Sequence, residues 1–242
     1  MGRKALPAEI IISDRRFQHV RTFKHDFFAA TAVYAGSGGR VVLKVQRQAD
    51  FFGLPLVWVG RFLRHREARL LVLTQSIPGV PRFSGGWGQT GLVHEYVAGR
   101  PLGRNDRVDD DFFPRLAAML DQIHALDMAY VDLEKPENIL LGEDGRPYLI
   151  DFQISWHPAR GGRSSAGRII LHILQAADRY HLLKHWRRIR PDQLSAEQIA
   201  ESHRAPFWIA WHRAVFRPIT KLRRQVLARL GARSSPHGRS PG

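Results

Sequence analysis

The chain has 242 residues, enough for one large domain or two small ones, and its 44% hydrophobic content supports a packed core. It contains no cysteine, which excludes disulfides and thiolate metal sites and fits a reducing compartment. No apolar run suits a signal peptide or the roughly 20 residues of a membrane-spanning helix, so we expect a cytoplasmic protein, soluble or peripheral at the inner membrane face.

The net charge of +15 is concentrated in the last third of the chain. From His157 onward there are 17 Arg and Lys residues against four Asp and Glu residues. Such a surface attracts nucleic acid, anionic lipid or phosphorylated substrates, and a merely solvated arginine-rich surface would look the same. Charge alone therefore names no partner.

The first part of the chain is predicted to be rich in strands. Residues 15–46 are predicted to form strands with turns, most clearly at 31–34 and 40–45, and two further strands are predicted at 82–84 and 91–97. Glycines at 36–39 indicate a hairpin turn between the first two strands. Apolar residues spaced among charged ones predict a helix from about residue 56 to 75. Gly99–Pro101 is predicted to turn the chain.

Beyond residue 98 the pattern becomes helical. Apolar residues recurring at three and four predict a helix that Asp109–Asp111 could cap and that runs to about Leu126. Short apolar runs on both sides of Gly142–Gly145 predict a second hairpin. Later helices are predicted near residues 167–184, 195–203 and 206–230, followed by a disordered tail at 232–242.

Three oxygen-bearing side chains in residues 130–153 suit phosphoryl-transfer chemistry. They are Asp132, Asn138 and Asp151, and the second hairpin would return the last two to one edge. Mg²⁺ is bound by carboxylate and amide oxygens, and a carboxylate can accept the proton of an attacking hydroxyl. The alternative for Asp132 alone is a turn-capping role.

This segment resembles the protein-kinase catalytic loop, H-R-D-L-x-x-x-N, followed by D-F-G. Upstream, V-V-L-K ending at Lys44 resembles the kinase strand V-A-I-K, and Glu67 lies on the next predicted helix. Residues 92–97 resemble the strand and hinge that bind adenine. These pieces follow one another in the kinase order over residues 24–153.

The resemblance implies an α+β, protein-kinase-like bilobal fold. A small antiparallel-sheet N-lobe would span residues 1–98 and a helical C-lobe residues 99–231. By the same resemblance, ATP and Mg²⁺ are the cofactors. The implied catalytic residues are Asp132 and Lys135, the Mg²⁺ ligands Asn138 and Asp151, and the ATP-binding residues Lys44, Glu67, Glu95 and Val97. An arginine such as Arg64 could pair with Glu67 instead of Lys44.

The sequence also departs from the kinase pattern. Residues 26–33 occupy the place of the glycine-rich loop but contain no glycine, so Lys24, His25 or the Thr31 hydroxyl could substitute. The catalytic loop is one residue longer than the pattern. Val131 replaces the arginine on which phosphorylated activation loops dock, which makes that form of regulation unexpected.

Two further departures follow Asp151. Gln153 replaces the glycine of D-F-G, and its Cβ should restrict the backbone and fix the geometry around Asp151. The activation segment is short, which resembles RIO kinases and bacterial lipopolysaccharide sugar kinases. Residues 178–191 are loosely similar to the latter, and Asp178 is expected to support the catalytic loop.

The sequence leaves the phosphate acceptor open between a sugar of an anionic glycolipid and a protein hydroxyl. The predicted helix at 206–230 is basic, amphipathic and rich in tryptophan, so it could contact an anionic membrane or pack on the C-lobe. A catalytically inactive pseudokinase that binds nucleotide is the main alternative function. Nucleic acid binding is not expected, because it leaves the three Mg²⁺-suited residues unexplained.

Overall fold

The computed structural model describes residues 5–25, 29–46, 57–158 and 165–204. The strands in these ranges are β1 (Glu9–Ile12), β2 (Arg15–His25), β3 (Ala30–Gly36), β4 (Gly39–Val45), β5 (Phe83–Trp87), β6 (Gly91–Glu95), β7 (Gly99–Pro101), β8 (Ile139–Gly142) and β9 (Pro147–Leu149). The helices are α1 (Val57–Leu73), α2 (Phe112–Ala125), α3 (Ser165–Ile189) and α4 (Ala196–His203), with 3₁₀ turns at Pro136–Asn138, Phe152–Ile154 and Pro191–Gln193. A strand-rich part precedes a mainly helical one, which confirms the predicted α+β class.

Six of these strands form one antiparallel sheet in the order β1-β2-β3-β4-β6-β5. The predicted hairpin of β3 and β4 is confirmed, with Gly36 opposite Gly39 at its turn. Gly39 has a φ of +100°, which a residue without a Cβ adopts at little cost. A smaller sheet in the order β7-β8-β9 contains the second predicted hairpin, which is also confirmed.

The register of the large sheet divides its side chains into two sets, because antiparallel partners point to the same face. The first set, here called the lysine face, contains Thr31 and Val33 of β3, Val42 and Lys44 of β4, and Leu92 and His94 of β6. The buried residues of the opposite face form one apolar cluster: Ile10, Ile12, Phe17, Ala30, Ala32, Tyr34, Val41, Leu43, Val45 and Val93.

A second apolar cluster joins the lysine face to the helical part. Leu92 packs there with Leu70 and Leu71 of α1. The periodic apolar residues of α2 are also buried in it: Phe112, Phe113, Leu116, Met119, Leu120 and Ile123. Each such side chain contributes roughly 1.5–3 kcal/mol when it is fully removed from water. The cluster therefore holds α1 and the lysine face against the loops that follow α2.

Two local predictions are wrong. Gly99–Pro101 is not a turn but strand β7, in which Gly99 and Arg100 pair with Gly142 and Leu141 of β8. Asp111 stands at the start of α2 without a side-chain capping bond, because its carboxylate accepts from Arg115 Nε at 2.6 Å. Ser195, by contrast, caps α4 through a reciprocal pair of hydrogen bonds with Gln198.

Some predictions fall outside the described residues. These include the helix at 206–230, the tail at 232–242 and part of the segment after Asp151. The lobe boundary near residue 98 stays a prediction. No helix in the described ranges is long and apolar enough to cross a membrane.

Candidate active site

Lys44 lies at the centre of an ion-pair cluster in which it and Glu67 are buried and Asp151 is partly exposed. Its Nζ donates to Glu67 Oε1 at 2.8 Å and to Asp151 Oδ1 at 2.6 Å. The three residues come from β4, α1 and the segment after β9, so only the tertiary fold brings them together. Arg64 does not compete for Glu67, because its Nε donates to the carbonyl of Gly91 at 3.2 Å.

Burial and charge act in opposite directions within this cluster. Burial alone would lower the pKa of Lys44, but the charges of Glu67 and Asp151 outweigh it and raise that pKa. Burial raises the pKa of Glu67, against the opposing effect of Lys44. Burial would also raise the pKa of Asp151, yet the Lys44 ammonium brings it below the ordinary carboxyl value. Lys44 and Asp151 are therefore charged at neutral pH.

Two glutamines that the sequence analysis did not connect extend the cluster. Gln46 Nε2 donates to Glu67 Oε2 at 3.0 Å, and Gln153 Nε2 donates to Gln46 Oε1 at 3.3 Å. Asp151 has a left-handed φ of +62°, and its carboxylate accepts from Gln153 N at 3.4 Å. The side chain at position 153 thus links the Asp151 turn to α1 through two hydrogen bonds.

A second polar cluster surrounds Asp132. Its Oδ2 accepts from Lys135 Nζ at 2.7 Å and from Asn138 Nδ2 at 2.8 Å. Asn138 Nδ2 also contacts the Asp132 carbonyl at 3.2 Å. Burial raises the pKa of Asp132, although Lys135 and Asn138 both favour its ionised form.

The two clusters belong to one site. Ile150 N donates to the carbonyl of Asn138 at 3.0 Å, which anchors the residue before Asp151 beside the second cluster. The charge of Asp151 contributes to the raised pKa of Asp132, and Lys135 contributes to the lowered pKa of Asp151. The sequence-predicted base, metal and lysine positions therefore face a common region.

Asp178 of α3 supports the backbone that leads into Asp132. Its Oδ2 accepts from Tyr130 N and its Oδ1 from Val131 N, both at 2.7 Å, and Oδ2 also contacts His124 Nε2 at 3.1 Å. Val131 has a φ of +71°, which is strained for a β-branched residue. The buried carboxylate offsets that strain by satisfying two consecutive backbone donors.

Glu95 and Val97 lie at the end of β6 and just beyond it. Glu95 N donates to the Arg82 carbonyl at 2.9 Å, and the Glu95 carbonyl contacts His94 Nδ1 at 2.8 Å. Among the described residues, no hydrogen-bond partner is found for Val97 N. Of the two, Val97 offers a backbone donor and Glu95 offers a carbonyl already shared with a histidine.

His94 lies on the lysine face beside this segment. Burial lowers the pKa of His94 to about 4, and the charge of Lys44 acts in the same direction. The ring is therefore neutral at physiological pH. Since the Glu95 carbonyl can only accept, Nδ1 carries the proton and Nε2 is left as an acceptor.

The donor set fits magnesium better than a metal that requires a protein cage. Among the described residues, no three His, Cys, Asp or Glu side chains converge to hold a metal. Mg²⁺ usually takes only one or two carboxylates together with phosphates and water. Asp151 and the amide oxygen of Asn138 could supply such a partial shell, because Asn138 directs its nitrogen to Asp132.

The three residues predicted to substitute for a glycine-rich loop do not all lie on the same face of the large sheet. Thr31 is the cross-strand partner of Lys44, and Lys24 is in turn the partner of Thr31, so both lie on the lysine face. His25 pairs with Ala30 and lies on the opposite face, so it does not share a face with Lys44. Residues 26–28 lie outside the described ranges.

Comparison with protein-family models and with curated proteins finds no match for this chain.

Proposed function

We propose that this chain is an ATP-dependent phosphotransferase of protein-kinase-like bilobal fold, which transfers the γ-phosphate of Mg·ATP to a hydroxyl acceptor. One observation carries the proposal. Lys44, Glu67 and Asp151, from three distant segments, meet in one ion-pair cluster near Asp132 and Asn138, with Lys44 and Glu67 buried and the Asp151 side chain 37% exposed. A structural ion pair would need only one carboxylate, whereas a site for phosphates and a metal needs both signs of charge.

In this mechanism each side chain has one task. Lys44, held by Glu67, transfers its second contact from Asp151 to the phosphates of the nucleotide. Asp151 and the amide oxygen of Asn138 would hold the metal. ATP would supply the phosphoryl group, and bound Mg²⁺ would neutralise part of its charge.

The acceptor hydroxyl is activated by Asp132. Its carboxylate takes the hydroxyl proton as the acceptor oxygen bonds to phosphorus and the bond to the ADP oxygen breaks. Lys135, whose side chain is 52% exposed, can leave Asp132 and contact the transferred phosphoryl group. Val97 N and the Glu95 carbonyl are the backbone groups proposed to bind adenine.

The main alternative is a pseudokinase that binds nucleotide without transfer. The absence of glycine in residues 26–33 favours it. The hydrogen bonds that orient Asp132 oppose it, since a site without chemistry has no need of a buried carboxylate there. The acceptor is proposed to be a sugar of an anionic glycolipid or a protein hydroxyl.

A transfer assay tests the proposal and identifies the acceptor class. Wild type and Lys44→Met are incubated with γ-labelled Mg·ATP and, in parallel, with a membrane extract and a cytosolic extract. We expect a labelled lipid or protein, identified by mass spectrometry, with wild type and with the exposed control Arg179→Met, and no labelled product with Lys44→Met. If wild type binds Mg·ATP but forms no labelled product, the protein is a pseudokinase instead.

A further inference from the structure

Strand β2 contains two irregularities that change which side chains share a face. Its register against β3 shifts between His19 and Arg21 and again between Thr22 and Lys24. Each shift leaves one extra residue without a cross-strand partner, as in a β-bulge. The extra residues are Val20 and Phe23, and both are exposed on the strand.

The two bulges place a pair of cations on the lysine face. In a regular strand, residues 21 and 24 would point to opposite faces, because side chains alternate. With the second bulge between them, Arg21 pairs with Val33 and Lys24 pairs with Thr31. Across the sheet, the Lys24 row continues through Thr31 to Lys44.

We propose that Arg21, Lys24 and Thr31 form a side-chain site for the polyphosphate tail of the nucleotide, in place of the backbone amides of a glycine-rich loop. This inference rests on the proposed function. It adds to the cluster of Lys44, Glu67 and Asp151 the side chains of β2 and β3 that would hold the phosphates. Neighbouring strands lie about 4.8 Å apart, so the backbones of Lys24 and Lys44 are about 10 Å apart, with Thr31 between them.

The chemistry of the site suits phosphate oxygens. The Arg21 guanidinium lies 4.7 Å from the centre of the Phe23 ring, and stacking on a ring leaves the N–H edge available for bidentate contacts. Thr31 contributes a hydroxyl beside the two cations.

A solvated basic strand is the competing explanation, and β2 provides its own control. Arg15 and Arg16 are exposed at the other end of the strand, about 16 Å from Arg21 or more at about 3.3 Å per residue. Arg16 contacts Glu9 at 3.4 Å in an exposed ion pair. Removing these two charges changes the net charge equally without touching the proposed site.

The test compares Arg21→Met/Lys24→Met with Arg15→Met/Arg16→Met by calorimetric titration with Mg·ADP and with adenosine. We expect the first variant to bind Mg·ADP about 100-fold more weakly, at about tenfold per charge-assisted contact. Its affinity for adenosine should stay within about twofold of wild type, and the control should bind both ligands normally.

The possible outcomes separate the two proposals. If both double variants bind Mg·ADP as wild type does, the side-chain phosphate site is overturned and the proposed function stands. If both lose affinity equally, the effect is general charge and the site is likewise overturned. If wild type itself binds no Mg·ADP, the proposed function fails and the site with it.

Discussion

Replacing Asp132 by asparagine is expected to slow phosphoryl transfer by about 10³-fold, within the usual range for loss of a general base. The amide cannot accept the hydroxyl proton, but it keeps the size of the side chain and one acceptor oxygen for Asn138 or Lys135. The affinity for Mg·ATP should change by less than about threefold. Single-turnover transfer and calorimetric titration measure the two quantities separately.

The pH dependence of kcat/KM tests the role of Asp132 independently. Burial raises the pKa of Asp132, and a base must be ionised to accept a proton. The wild-type value of kcat/KM should therefore fall as the pH drops through a pKa above the ordinary aspartate value of about 4. This acid limb should be absent from the residual activity of Asp132→Asn. A rate that the substitution leaves unchanged would contradict the assignment of Asp132 as the base.

Replacing Asp178 by alanine is expected to cost at least about 3 kcal/mol of unfolding free energy, because three buried donors lose their acceptor. These donors are Tyr130 N, Val131 N and His124 Nε2. The carboxylate also holds Val131 at a positive φ, so its loss should misplace Asp132. We expect kcat to fall more than tenfold at a temperature where the variant is still folded, with little change in the KM for ATP.

Asp121 provides the control for this experiment. It is an exposed aspartate that contacts Arg179 at 3.5 Å, so Asp121→Ala should change the unfolding free energy by less than about 0.5 kcal/mol. Urea unfolding of both variants measures the difference. An Asp178→Ala protein as stable as Asp121→Ala would show that the buried carboxylate does not support the loop. Normal kcat in a destabilised variant would limit Asp178 to a structural role.

Local sequence patterns predicted the parts of the fold that are determined locally. The β3-β4 hairpin follows from β-branched runs around glycines, and α2 follows from apolar spacing, so both appear within a few residues of their predicted bounds. Strand β7 could not be predicted in this way. Gly99–Pro101 has the composition of a turn, and only pairing with β8, some 40 residues later, makes it a strand.

In the candidate site, too, some residues are predictable from the sequence and others depend on the tertiary fold. Asp132, Asn138 and Asp151 are predictable from the residue types that phosphoryl transfer needs, whereas Lys44 is predicted by the resemblance of its strand to the kinase pattern. Gln46 carried no comparable signal, since its partners Glu67 and Gln153 are far away in sequence. The one available clue was the glutamine at position 153, where the resemblance predicted glycine.

The bulges of β2 are a further limit on prediction from sequence. Residues 15–25 alternate poorly, and nothing in their composition indicates where an extra residue is inserted. Yet the insertion at Phe23 decides whether Arg21 and Lys24 share a face. Lys24 and Thr31 are candidates from the sequence alone, and the register of the sheet adds Arg21 to them and places His25 on the opposite face.

The central claim is that the cluster of Lys44, Glu67 and Asp151 is a site for a magnesium nucleotide. Its most direct test is calorimetric titration of wild type and Asp151→Asn with ATP, each with and without Mg²⁺. We predict that Mg²⁺ tightens ATP binding to wild type at least tenfold and that this gain disappears in Asp151→Asn. Equal affinity of wild type for ATP with and without Mg²⁺ would contradict the claim.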